Sequence, residues 1–194
     1  MLMGPCPILL QHAIPEHEEK GNYMKKTMPL LVLLVIICLT CVHCGSRAGQ
    51  EGELQIGSSA PSFELSDLRG QTVSLSQFKG KIVILDFWAT WCGPCRLSMP
   101  LLEKLQKENP NDLKLLAINL EEPLDLVRDY VARQNINTTV LLDSEGKVGR
   151  IYGSESIPMQ VLIDKKGIIR DVKVGFSPSM GEQLRKQLDQ LRAD

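Results

Sequence analysis

Ile82 to Phe87 is an apolar stretch broken only by Asp86, and it leads straight into Trp88-Ala89-Thr90-Trp91-Cys92-Gly93-Pro94-Cys95. The β-branched richness of the stretch reads as a buried central strand, and a helical pattern over Arg96 to Glu108 follows it. Two cysteines at this spacing, on a strand-to-helix junction, can form and break one small disulfide ring. A strand of this kind needs a sheet around it and a helix across it. The expectation is therefore an α/β domain with a thiol–disulfide centre at its heart.

What the rest of the chain lacks sharpens this. Of six cysteines, Cys6, Cys38, Cys41 and Cys44 precede residue 46, and the three histidines (His12, His17, His43) are N-terminal too. The globular part keeps Cys92, Cys95 and no histidine. That excludes a Cys–His nucleophile pair and any histidine-based metal site within it. A zinc half-site on Cys92 and Cys95 lacks a second ligand pair, so no metal and no cofactor beyond the redox disulfide is expected. A formal net charge of −1 gives no basic footprint for nucleic acid.

The N-terminal segment reads as an address. Met24-Lys25-Lys26 opens a short basic stretch, and Pro29 to Val42 is almost wholly apolar. This is the n-region and h-region pattern of a secretory signal peptide. The run falls short of the roughly 20 residues a spanning helix needs. Ser46-Arg47-Ala48 offers small residues for cleavage after Ala48. Residues 1–23 fit no part of such a signal, and Met24 is the expected true start. The alternatives are an uncleaved N-terminal membrane anchor, or a lipoprotein acylated at Cys41 or Cys44, which Thr40 and His43 fit poorly. Each reading puts the domain in an extracytoplasmic (periplasmic), oxidising space. The expected organisation is residues 1–48 as extension and signal or anchor, 49–59 as a Gly/Ser-rich linker, and 60–194 as the domain.

Within the domain, Ser62–Leu65 and Thr72–Leu75 alternate around Asp67–Gln71 and predict a β-hairpin. Leu113–Leu120 is a second apolar strand. Pro123–Gln134 has helical spacing with Pro123 suited to the first helical position. Val140–Leu142 is a short strand ending in the turn Asp143–Gly146. Met159–Ile163 and Ile168–Val174 form a hairpin across Asp164–Gly167, and an amphipathic helix closes the chain over Ser179–Leu191. This order makes an α/β sandwich around a mixed sheet.

With these residues in place, roughly residues 55–192 resemble the thioredoxin fold, in its TlpA/ResA-like extracytoplasmic branch. The resemblance rests on Ile56-Gly57-Ser58-Ser59-Ala60-Pro61-Ser62-Phe63, on Phe78-Lys79-Gly80-Lys81, and on Phe87-Trp88-Ala89-Thr90-Trp91-Cys92. The segment between Leu120 and Pro158 is similar to that branch's central α/β insertion. The fold implied is a central mixed sheet flanked by helices, with an N-terminal β-hairpin and that insertion.

The resemblance also assigns roles. Cys92 is the nucleophile, its thiolate favoured by the helix N-terminus, and Cys95, more buried, is the resolving thiol. Gly93 and Pro94 set the turn between them. Asp86, a carboxylate on an apolar strand, is expensive unless it stays protonated near neutrality, and it is assigned as proton-exchange partner of Cys95. Ile157-Pro158 matches the cis-proline loop, where a substrate segment pairs with Ile157's backbone. Trp91 shields the disulfide and helps form the docking surface, Trp88 and Pro100 are structural, and Gly175 matches a glycine of the substrate groove.

Three departures stand out. Ser98 replaces the glutamate common in ResA-like proteins of cytochrome c maturation, Asp86 replaces their usual non-acid, and Ala117 stands where thioredoxins place a lysine. The function implied is extracytoplasmic thiol–disulfide exchange, mainly reductive because Gly93-Pro94 is similar to reducing thioredoxins. Its partners are disulfide-bearing exported proteins, apocytochrome c among the candidates, and a membrane electron donor of the DsbD or CcdA type. Two alternatives were weighed. A copper(I) metallochaperone would use Cys92, Cys95 and Met99 or Met159. A peroxiredoxin-like peroxidase lacks its loop proline here, and Thr90 precedes Cys92 by only two residues.

Overall fold

In the computed structural model, residues 54–193 are described. The signal or anchor over 1–48, the start at Met24 and linker residues 49–53 lie outside them. The described residues form one seven-stranded sheet: β1 Glu64–Asp67, β2 Thr72–Ser74, β3 Ile82–Trp88, β4 Leu113–Leu120, β5 Thr139–Asp143, β6 Met159–Ile163 and β7 Ile169–Val174. The helices are α1 Gly93–Glu108, α2 Leu124–Gln134, α3 Lys147–Ile151 and α4 Met180–Ala193. The sheet order is β2-β1-β5-β4-β3-β6-β7. Strands β3, β4 and β5 run parallel, while β1, β2, β6 and β7 add antiparallel pairs. The expected mixed sheet and thioredoxin fold are both present.

Every residue of β3 is buried. Strands covered on both faces read as continuous apolar runs, which explains why this one was so visible in the sequence. Alternation sends Val83, Leu85 and Phe87 to one side, where they pack with Phe63, Tyr152 and the β6 residues Met159, Val161 and Ile163. Ile82, Ile84, Asp86 and Trp88 face the other side, where Ile82 and Ile84 pack with Leu102 and Leu105 of α1 and Leu184 and Leu188 of α4, and Trp88 packs with Met99 of α1 and Val127 of α2. Each fully buried large apolar side chain contributes about 1.5–3 kcal/mol. Several such neighbours outweigh the cost of one buried carboxyl.

Four expectations need correction. The linker does not extend to residue 59. Gly57 N–H donates to Ile169 O, Ile169 N–H to Ser58 O, and Ala60 N–H to Gly167 O, so this stretch lies along β7 as part of the domain. The first hairpin strand lies two residues later than expected, because the Asp67 carboxylate accepts the Arg69 and Gln71 amides and so fixes the turn. Pro123 is the residue before α2, with extended backbone, not its first helical residue. Helix α3 was not expected. Its five residues are too few for a periodic pattern, and Gly146 starts it in the left-handed region at φ 64°.

Candidate active site

Three turns meet at one edge of the sheet. The parallel strand β3 ends there in the cysteine motif, and β4 ends there in Glu121-Glu122. Strand β6 is antiparallel to β3, so its start, and with it Pro158, comes to the same edge, where Phe87 pairs with Met159. Topology, more than proximity in sequence, assembles the site.

Cys92 and Cys95 are joined as a disulfide, with Cα atoms 5.3 Å apart. Gly93, Pro94 and Cys95 open α1, and Cys92 is its N-cap, with Sγ accepting the Cys95 amide at 3.2 Å. Proline is tolerated here because the first helical turn has no N–H partner to lose. Gly93 is not in the left-handed region, and a Cβ there would meet only Arg96 at 3.8 Å, so neither space nor backbone demands glycine. Free N–H groups and the dipole of α1 therefore point at Cys92 Sγ. Both cysteines are buried, Cys92 3% and Cys95 2% exposed, so burial barely separates them. Trp88, Met99 and Ile157 pack in one cluster with the two cysteines. Ser98 is buried and its hydroxyl donates to Cys95 O at 3.1 Å.

Asp86 is fully buried on the α1 face of the sheet, between Ile84 and Trp88 along β3. Burial pushes its carboxyl up to about 7, against a downward pull from the Gln160 hydrogen bond. Ala117 lies directly across on β4, as the resemblance implied, and offers no cation. On the other side, Gln160 of β6 is its register partner and donates Nε2–H to Oδ1 at 2.7 Å.

The Ile157–Pro158 peptide bond is cis, and Gly175 N–H donates to Pro158 O at 2.7 Å. Gly175 has φ 83°, which glycine adopts at least cost. Trp91 is 71% exposed and lines, with Ile157, Leu120, Glu121, Arg150 and Glu155, an open groove of about 380 Å³. Gly149 and Arg150 of α3 form one wall of this groove, which reaches the cysteine motif at Trp91.

Two residues of the site escaped sequence reasoning. Glu122, buried, accepts the Thr90 amide at 2.7 Å, the Thr90 hydroxyl at 2.6 Å and the Asn119 side-chain amide at 2.7 Å. It pins the loop two residues before Cys92. Gln160 is the other. Nothing in Glu121-Glu122 marks the second as buried, whereas Gln160 carries a usable sign: it is a lone polar residue on an apolar strand, like Asp86.

The profile of the AhpC/TSA family matches residues 56–172. The chain belongs to the AhpC/TSA family. Among curated relatives, the thioredoxin-like protein YneN of Bacillus subtilis (strain 168) is 38% identical over 143 residues, spanning 72% of this chain and 84% of YneN. The thiol-disulfide oxidoreductase ResA of Bacillus cereus (strain ATCC 10987 / NRS 248) is 32% identical over 173 residues, 88% of this chain and 95% of ResA. A candidate DsbE thiol:disulfide interchange protein of Chlorobium tepidum superposes with a TM-score of 0.68 at 36% identity, over 72% of this chain and 99% of that one. With these relatives and this fold, the chain is a thioredoxin-like thiol–disulfide oxidoreductase acting on disulfide-bearing substrates.

Proposed function

We propose that the protein is an extracytoplasmic disulfide reductant, with Cys92 as the attacking thiolate and Cys95 as the resolving thiol. The observation that carries this is the Cys92–Cys95 disulfide on the N-terminus of α1, beside exposed Trp91. In the forward reaction Cys92 attacks a client disulfide, one client sulfur leaves, and a mixed disulfide forms. Cys95 then attacks Cys92 Sγ, closes the ring and releases the second client sulfur as a thiolate. Asp86 exchanges a proton with Cys95 in that second step. The groove between Trp91, Ile157 and α3 receives an extended client segment, with the Ile157 backbone available to pair with it.

The leader over residues 24–48 supports export, with cleavage after Ala48 or retention as an anchor, and no cofactor is proposed beyond the disulfide itself. Clients are then exported proteins. Apocytochrome c is one, although Ser98 stands where relatives serving that pathway carry glutamate. Continued reduction in an oxidising space requires electrons from the membrane, from a donor of the DsbD or CcdA type.

The test is reduction of insulin by the protein with dithiothreitol as electron source. The expected result is precipitation of insulin chains at a rate that falls to the dithiothreitol background in Cys92→Ser. Equal rates for the two proteins would overturn the proposal.

A further inference from the structure

Two polar side chains stand out on the α1 face of the sheet, and they face each other across β3 and β6. Asp86 and Gln160 are register partners, 0% and 2% exposed. Gln160 Nε2 lies 2.7 Å from Asp86 Oδ1. The remaining oxygen of each, Asp86 Oδ2 and Gln160 Oε1, is buried and has no hydrogen-bond partner. An ionised Asp86 leaves both oxygens as acceptors with nothing to accept. One proton placed between them satisfies both.

We propose that Asp86 and Gln160 form a two-point acid–amide pair, with Gln160 Nε2–H donated to Asp86 Oδ1 and a proton on Asp86 Oδ2 donated to Gln160 Oε1. Gln160 is thereby the positioning residue that stores the proton exchanged with Cys95. This storage role rests on the reading of Asp86 as the proton partner of Cys95.

Glutamine suits the task because its amide carries a donor and an acceptor on one planar edge, matching the two oxygens of a carboxyl. A lysine would instead hold the charged form. The surroundings supply no competing charge. Among the described residues, β4 sets Ala117 opposite Asp86, α4 presents apolar side chains, and Tyr130 of α2 packs on Trp88. Glu122 is engaged with Thr90 and Asn119 beyond the end of β4. Cys92 and Cys95, at the start of α1, pack on this face, and no charged group of α1 acts on Asp86.

In the resolving step, Oδ2 of ionised Asp86 takes the proton from the Cys95 thiol. The Cys95 thiolate attacks Cys92 Sγ, the bond from Cys92 to the client sulfur breaks, and the client leaves as a thiolate that water protonates. Gln160 Oε1 then holds the proton left on Oδ2. In the reverse direction the same proton returns to Cys95 as its sulfur leaves.

The experiment is an infrared titration of the oxidised protein across neutral pH, following the carboxyl C=O band against Asp86→Asn as background. The expected result is one band that disappears on titration near neutrality and is absent in Asp86→Asn. In Gln160→Met, with its fold checked by circular dichroism, that band moves to higher frequency. Its midpoint falls by a pH unit or more, a tenfold loss of proton affinity, because the protonated form has lost two hydrogen bonds and the ionised form one. Gln160→Glu, close in shape, provides a second variant in which two carboxyls share a proton and the midpoint rises. No band that Asp86→Asn removes, or a midpoint in Gln160→Met that stays put or rises as loss of the Nε2–H bond alone would make it, overturns the pair. A confirmed pair with identical pH–rate profiles for wild type and Asp86→Asn in insulin reduction overturns only the storage of the Cys95 proton.

Discussion

At Asp86, stability and pH are tied together. Its carboxyl titrates near 3.8 in an unfolded chain and at about 7 in the fold, where burial raises it and Gln160 lowers it. The folded state therefore holds this proton more tightly. The stability it contributes is full below the unfolded value, declines as pH rises toward 7, and is gone above it. A rise of this size corresponds to roughly 4 kcal/mol. Asp86→Asn keeps an acceptor for the Gln160 amide without a charge. In urea unfolding of the oxidised proteins the variant is expected to match wild type at about pH 4 and to exceed it by up to about 4 kcal/mol at about pH 8. A stability difference independent of pH would refute this. Glu122 is the second residue with leverage here. Glu122→Ala strips the acceptor from the buried Asn119 Nδ2–H, at about 1–3 kcal/mol, and from the part-buried Thr90 N–H. It should lower the urea midpoint and slow insulin reduction together, since the same loop carries Trp91 and Cys92.

At the level of elements, legibility followed length and two-sided burial. Strand β3 was readable because all seven of its residues are buried, and the cysteine spacing marked its end. The β6–β7 hairpin was readable because Asp164-Lys165-Lys166-Gly167 separates two apolar runs. Helix α3 was not, since five residues give one turn and no period. Glu122 and Gln160 were missed for a different reason: each acts on a partner from another element, 32 and 74 residues away. Periodicity speaks of faces, not of what stands across from them. Packing around α3 offers a test at this scale. A Cβ on Gly149 would lie 2.8 Å from Ser154 Oγ and 2.9 Å from Leu120 Cδ2. Gly149→Ala should cost about 1–3 kcal/mol in thermal or urea unfolding through overpacking. Because α3 walls the groove, it should also weaken client capture while leaving reaction with a small disulfide unchanged. An unaltered melting temperature would count against that tight packing.

For the molecule as a whole, the sheet topology gathers the chemistry at one edge: the motif after β3, the Glu122 clamp after β4, the cis-proline turn before β6 and Gly175 after β7. Each arrives by strand direction, so the site is a property of the fold and not of the motif alone. The central claim is that this edge performs exchange in a fixed order, Cys92 first and Cys95 second. Cys95→Ser should halt the reaction at the mixed disulfide. The most direct measurement incubates this variant with oxidised insulin and maps the adduct by mass spectrometry of non-reduced peptides. The account predicts a client peptide linked to Cys92, with Cys92→Ser giving little or none. A client linked to Cys95 in Cys92→Ser at a comparable rate, or no adduct on Cys92 in Cys95→Ser, would contradict it.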